Sequence, residues 1–318
     1  MPGATDMKKT LACVLAAAFA MLSAFANAET YALIIGINDY PEPLDAEGKP
    51  LKDDEGNVIS DDLFGCVNDA KFWKEMLTKN FGAKEANVHM LTDAQATEAN
   101  FIKEFRWLIQ SAKPGDRVFF SYSGHGAQVK LDDQPEETDG LTEVICLIDI
   151  LIPDNFFGDV AKSFRDAGVD ATFVFDSCFS GGVDRPGDTH PKYKEKTKRV
   201  DAGRLTARQR SNHLTAIEQA EMTNMVRINR AIAKGSYVFL QASQEDQTSS
   251  DVQWRDGSPS YGAFTYFVRE SLMASPTLTI QQLLDKVKTT LKDWEFEQIP
   301  KAEYSDANRP KKPVVTGN

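Results

Sequence analysis

The sequence predicts an α/β protein, a three-layer sandwich with a mainly parallel central sheet and helices on both faces. Three observations carry this. Short continuous apolar runs, of the kind buried on both faces of a parallel sheet, recur along the chain. Segments with helical periodicity alternate with them, which implies right-handed crossovers. The 318 residues, 42% hydrophobic and 26% charged, are enough for one large core or two small ones.

The elements follow in order. Tyr31–Asn38 (YALIIGIN) is a buried strand, and Asn68–Phe81 a helix with Phe72, Trp73, Met76 and Leu77 on one face. Asn87–Leu91 is a short strand. Thr97 caps a helix whose stripe is Phe101, Ile102, Phe105, Leu108 and Ile109. Pro114-Gly115-Asp116 turns into the strand Arg117–Ser121. Val144–Leu151 reads as a further strand, Val160–Ala167 as a helix, and Ala171–Phe175 and Ser236–Ala242 as strands. Helices are expected near Ala263–Met273 and Ile280–Trp294, and the chain from residue 301 reads as a C-terminal tail.

The first 28 residues stand apart. Lys8-Lys9, the apolar stretch Leu11–Ala26 and the small residues Ala26-Asn27-Ala28 are the three parts of a secretory signal, with cleavage expected after Ala28. This places the protein in the periplasm or outside the cell, with no stable membrane insertion once the signal is removed. Three cysteines then remain, Cys66, Cys146 and Cys178. An odd number in an oxidising compartment leaves at least one thiol unpaired, and a Cys66–Cys146 disulfide stays open. With 47 acidic against 36 basic residues the net charge is −11, a poor balance for binding nucleic acid. Asp184–Arg210 departs from this, holding Lys192, Lys194, Lys196, Lys198, Arg199, Arg204, Arg208 and Arg210. Such a run is expected to be a solvated loop or a processing segment. The acidic stretch Asp53–Asp62 reads as a surface insertion.

Two strand ends carry the chemistry. In open α/β sheets reactive groups collect beyond the carboxyl ends of the strands. One buried strand runs into Ser123-Gly124-His125-Gly126, another into Asp176-Ser177-Cys178-Phe179-Ser180-Gly181-Gly182. A thiolate is a strong nucleophile, and a nearby imidazole can take its proton and later give one to an amine leaving group. No His pair has metal-ligand spacing, so zinc is not expected.

These residues carry a resemblance. The chain resembles caspase-fold cysteine peptidases, and within them the metacaspases and their bacterial relatives (orthocaspases). The resemblance rests on YALIIGIN, GCVNDA (Gly65–Ala70), FFSYSGHG (Phe119–Gly126), ETDG (Glu137–Gly140) and FVFDSCFSGG (Phe173–Gly182). It implies a caspase-like sandwich over residues 29–300, with His125 as general base and acid and Cys178 as nucleophile. The backbone N–H groups of Gly126 and Cys178 would form the oxyanion hole. Cys66, Asp69, Ser123 and Asp176 would shape the pocket for the residue before the cut. Two carboxylates on a pocket floor favour Lys or Arg and repel Asp. The expected protein is therefore a monomeric endopeptidase acting on peptides after Lys or Arg, autoprocessed in the basic segment. The alternatives are another specificity on the same fold, or a non-catalytic peptide-binding module. No cofactor is required for the chemistry. Calcium activation would draw on Asp139, Asp154 and Asp184, although acids usually paired in that set read Asp154-Asn155 here.

Overall fold

Side chains alternate across the first strand, β1 (Thr30–Gly36). Ala32 and Ile34 pack on one face, Leu33 and Ile35 on the other, and all four are buried. A strand apolar on both sides needs cover on both sides. The computed structural model, which describes residues 28–45, 47–131, 140–178, 190–205, 209, 212–226, 234–244 and 247–315, shows that cover. β1 lies in a six-stranded sheet with β2 (Val88–Thr92), β3 (Arg117–Ser123), β7 (Asp170–Asp176), β9 (Tyr237–Gln241) and β12 (Lys301–Tyr304), in the order β12-β9-β7-β3-β1-β2. All pairings are parallel except that of the edge strand β12 with β9.

Helices α1 (Cys66–Glu75), α5 (Ala263–Ala274) and α6 (Ile280–Asp293) cover one face, packing Trp73, Phe264 and Leu283 against Ile34, Phe119 and Val174. Helices α2 (Glu98–Ser111), α3 (Asp154–Asp166) and α4 (Ala216–Met225) cover the other, where Phe105, Phe157 and Met222 join the core of Phe120, Phe173 and Phe175. Thr97 caps α2 as its sequence implies, its hydroxyl accepting from Asn100 N at 3.4 Å. The three-layer α/β architecture read from the sequence is the one observed.

Three expectations are corrected. The run 144–151 is not one strand. It breaks at Ile148-Asp149, where Leu147 N donates to Ile150 O, giving β5 (Thr142–Cys146) and β6 (Leu151–Pro153). Asp149 accepts from Glu98 N (2.7 Å), a role that a doubly buried strand could not give it. With β4 (Gly126–Val129) these strands form a separate antiparallel sheet, order β4-β5-β6. Nor is residue 301 the start of a tail. β12 closes the central sheet, and Arg309, almost fully buried, donates to Thr172 Oγ1 (3.0 Å) and Val314 O (2.9 Å). Short polar strands leave little apolar periodicity to read.

The third correction concerns the basic segment, which is not simply a solvated loop. Its residues Tyr193–Thr197 form β8, paired antiparallel with β10 (Ser250–Trp254), which also pairs with β11 (Tyr261–Gly262). Cys66, Cys146 and Cys178 are all free and buried, so no Cys66–Cys146 disulfide forms. No helix of the described residues is long and apolar enough to cross a membrane. Residues 1–27, which hold nearly all of the expected signal, lie outside the described residues.

Candidate active site

β3 and β7 are parallel neighbours in register, with Ser123 opposite Asp176. Their carboxyl ends therefore deliver Gly124-His125 and Ser177-Cys178 side by side. The His125 main chain is clamped by two tyrosines. Tyr122 Oη donates to His125 O (2.7 Å), and His125 N donates to Tyr40 Oη (2.8 Å), whose ring also lies 4.6 Å from the imidazole. His125 Nε2 lies 2.6 Å from the carbonyl oxygen of Asp61. A carbonyl only accepts, so Nε2 carries the proton and Nδ1 the lone pair. Nδ1 is buried and has no hydrogen-bond partner. Burial holds the imidazole pKa down at about 4, against the opposing pull of the Asp61 and Lys198 carbonyls. At neutral pH His125 is an uncharged base.

Cys178 is fully buried. Its Sγ accepts from Ser249 N (2.6 Å) and lies 3.3 Å from Ser249 O and 3.8 Å from Thr197 Oγ1. Burial pushes the thiol pKa up to about 12, so the group is protonated here. No hydrogen bond joins His125 to Cys178, since Nδ1 is unpaired.

Between the two lies Lys198. Its carbonyl oxygen accepts from Gly126 N (2.9 Å) and, more loosely, from Cys178 N (3.4 Å). Its own N–H donates to Ser249 O (2.9 Å), continuing the ladder of β8 on β10. Its side chain is fully buried, with Nζ 2.8 Å from Ser123 Oγ, 3.2 Å from Asp69 Oδ2 and 3.1 Å from Asp176 Oδ1. Burial pulls the ammonium pKa down, but Asp176 and the neighbouring acids outweigh it and hold it well above its ordinary value. One cation cannot offset every acid nearby. Burial raises Asp69 to about 7 against the pull of Lys198, and raises Asp251, whose field also reaches Lys198, to about 6.

Asp69, Ser123 and Asp176 thus converge on one ammonium, and buried Cys66 lies close enough for Lys198 and Ser123 to act on its thiol. Several members of the site carried no sequence signal. Asp176 Oδ2 accepts from Thr265 N (3.0 Å) and Thr265 Oγ1 (2.7 Å), and Asp176 Oδ1 from Ser249 Oγ (2.8 Å). Gly262 N donates to both oxygens of Asp69 (3.1 Å each). Asp251 accepts from Phe64 N and Gly65 N, holding the start of α1. Asp53–Gly56 is exposed as expected of an insertion, but Asp61 at its end is buried and orients His125. Of the calcium candidates, Asp139 and Asp184 lie outside the described residues, and Asp154 opens α3. Among the described residues no three His, Cys, Asp or Glu side chains come together to hold a metal ion.

Gly262 has to be glycine because of close approach. A Cβ there would overlap Lys198 Nζ and Asp176 Oδ2. Gly262→Ala should destabilise the protein by ~1–3 kcal/mol, the usual cost of overpacking. Thermal unfolding of the variant beside the unaltered protein checks this.

His125 and Cys178 thus stand at adjacent strand ends, beside the Gly126 and Cys178 N–H groups that hold the Lys198 carbonyl and the buried acids Asp69 and Asp176 that hold its ammonium. Residues 31–185 match the family model "Metacaspase, peptidase C14 domain". Metacaspase-1A of Aspergillus oryzae is 30% identical over 271 residues, 76% of this chain and 64% of the relative. Metacaspase-1A of Neurospora crassa is 29% identical over 280 residues, 77% and 59% of the two chains. Metacaspase-1 of Schizosaccharomyces pombe is 27% identical over 274 residues. The resemblance read from the motifs is therefore shown, and residues 31–185 carry a metacaspase peptidase C14 domain. The chain spans less than two thirds of the length of these relatives. A solved structure of a Geobacter sulfurreducens protein shares the fold at a TM-score of 0.59 and 20% identity, covering 91% of this chain and 99% of that one.

Proposed function

We propose that the protein is a cysteine endopeptidase cutting after Lys or Arg, and that its first substrate is its own Lys198–Arg199 bond. The observation that carries this is the seating of Lys198, ammonium among Asp69, Ser123 and Asp176 and carbonyl oxygen on Gly126 N and Cys178 N. Main-chain donors aimed at a carbonyl oxygen stabilise the charge that develops there during attack.

The chemistry runs in two halves. His125 Nδ1 takes the proton of the Cys178 thiol, and Sγ attacks the Lys198 carbonyl carbon. The carbonyl π pair moves onto oxygen, where the two N–H groups receive it. As the tetrahedral adduct collapses, the C–N bond breaks and the imidazolium gives its proton to the Arg199 nitrogen, which leaves as an amine. A thioester links Cys178 to Lys198. Water, deprotonated by His125, attacks that carbonyl, and the thiolate leaves and recovers the proton. The products are a carboxylate at Lys198, an amino terminus at Arg199 and the thiol.

Proton transfer from a buried thiol with a raised pKa to a base with a lowered one is costly, so this first turnover should be slow. Departure of β8 would re-expose both groups to water and relax both shifts. We also propose export, on the strength of the N-terminal pattern in residues 1–28.

Fluorogenic peptides ending in Arg, Lys or Asp, offered to the protein and to Cys178→Ala, test the reading. Cleavage after Arg and Lys that disappears in the variant is expected. Cleavage after Asp, or equal rates in the two proteins, would overturn it.

A further inference from the structure

The chain beyond Lys198 also lies in a built groove. Arg199 pairs in parallel with Gly126, the first residue of β4, and Val200 N donates to Gly126 O (3.0 Å). The residue whose N–H holds the Lys198 oxygen thus also fixes, through its carbonyl, the register two positions later. Along an extended segment alternate side chains face the same way. Lys198 and Val200 both turn inward and are buried, while Arg199 between them stays partly exposed and pairs with Asp201 (2.6 Å). Val200 enters a cluster of its own, distinct from the two large cores and made of Ala127, Val129, Val144, Cys146 and Leu151, with Leu205 closing it. Its walls come from β4, β5 and β6, the small sheet that begins directly after His125.

We propose that this cluster is a second specificity pocket, which takes an aliphatic side chain two residues after the scissile bond in substrates other than the chain itself. The inference rests on the peptidase reading above and deepens it. The cluster around Val200 is apolar and the Cys146 thiol is neutral, burial pushing its pKa up, while the charged Asp61 and Arg204 at its rim already pair with each other, so a charged guest would lose its hydration for little return. A guest of valine size gains apolar burial, and removal of its methyl groups forfeits contacts on every side. The first pocket thus selects charge and the second selects shape, and Gly126 fixes the two-residue spacing between them.

Quenched-fluorescence peptides Lys-Thr-Lys-Arg-Xaa-Asp, with Xaa as Val, Leu, Gly, Asp or Lys, test this on the full protein after self-cleavage. A peptide ending in a fluorophore directly after Lys serves as reference. The expected result is kcat/KM for Val and Leu about 10- to 100-fold above Gly and higher still above Asp and Lys. Val129→Glu on the pocket wall should turn the Val-over-Lys preference into Lys over Val. If that variant does not fold, Val129→Phe should shift the preference from Leu towards smaller residues. Cleavage of the reference and of all five peptides at equal rates would overturn the second pocket and leave the peptidase reading standing. Failure to cleave even the reference would overturn both.

Discussion

Lys198→Ala, made in a Cys178→Ala background so that the chain stays intact, should destabilise the protein by about 3–5 kcal/mol, the usual cost of stripping the partner from buried charges. Lys198 is the cation bonded to Asp69 and Asp176 in that pocket, and Asp251 feels its field. The loss should depend on pH with a definite sign. Asp69 and Asp251 are already raised from 3.8 to about 7 and about 6 with the ammonium present, and both rise further without it. An acid whose folded pKa is raised holds a proton that the unfolded chain has released, so stability falls as pH rises between the two values. The variant should therefore lose more Tm at pH 8 than at pH 5, relative to Cys178→Ala alone. Equal losses at both pH values would mean that Lys198 does not neutralise buried carboxylates.

Asp176→Asn should reduce kcat/KM for lysyl and arginyl peptides about 10²- to 10³-fold, in keeping with the cost of truncating one member of a buried hydrogen-bonded ion pair. Asp176 accepts from Ser249 Oγ and Lys198 Nζ on Oδ1, and from Thr265 N and Oγ1 on Oδ2. An amide must turn its N–H donors towards one of those sets, placing donor against donor. The effect should reside in recognition of the basic side chain. Peptides with Ala before the cut, expected to be poor substrates of both proteins, should lose little. A uniform loss across Lys, Arg and Ala peptides would assign Asp176 to the chemistry or the fold in place of the pocket.

The legible and the hidden parts of this molecule differ for physical reasons. Continuous apolar runs such as Tyr31–Ile37 and Ala171–Phe175 are readable because both faces of a parallel strand must be apolar. The polar residues that end β3 and β7 are readable because Ser123, His125 and Asp176 interrupt such runs. Lys198 is one of nine basic residues in its segment, and composition alone cannot separate it from Lys194, which is exposed. One signal was available. Lys192, Lys194, Lys196 and Lys198 recur with period two around Tyr193, Glu195 and Thr197, the spacing of a strand. Asp251, Gly262 and Thr265 were beyond reach, since only the fold brings them to residues 64–69 and 176 from so far along the chain. Asp61 acts through its carbonyl, which any residue possesses, so its side chain announced nothing.

Intact-mass measurement of the purified protein over time, with amino-terminal sequencing of the new fragment, tests most directly whether the Lys198–Arg199 bond is seated as a substrate. Two fragments that meet between Lys198 and Arg199 are expected, the second beginning Arg-Val-Asp-Ala, with a single uncut chain for Cys178→Ala under the same conditions. A cut elsewhere in the basic segment, or the same cut in Cys178→Ala, would contradict it.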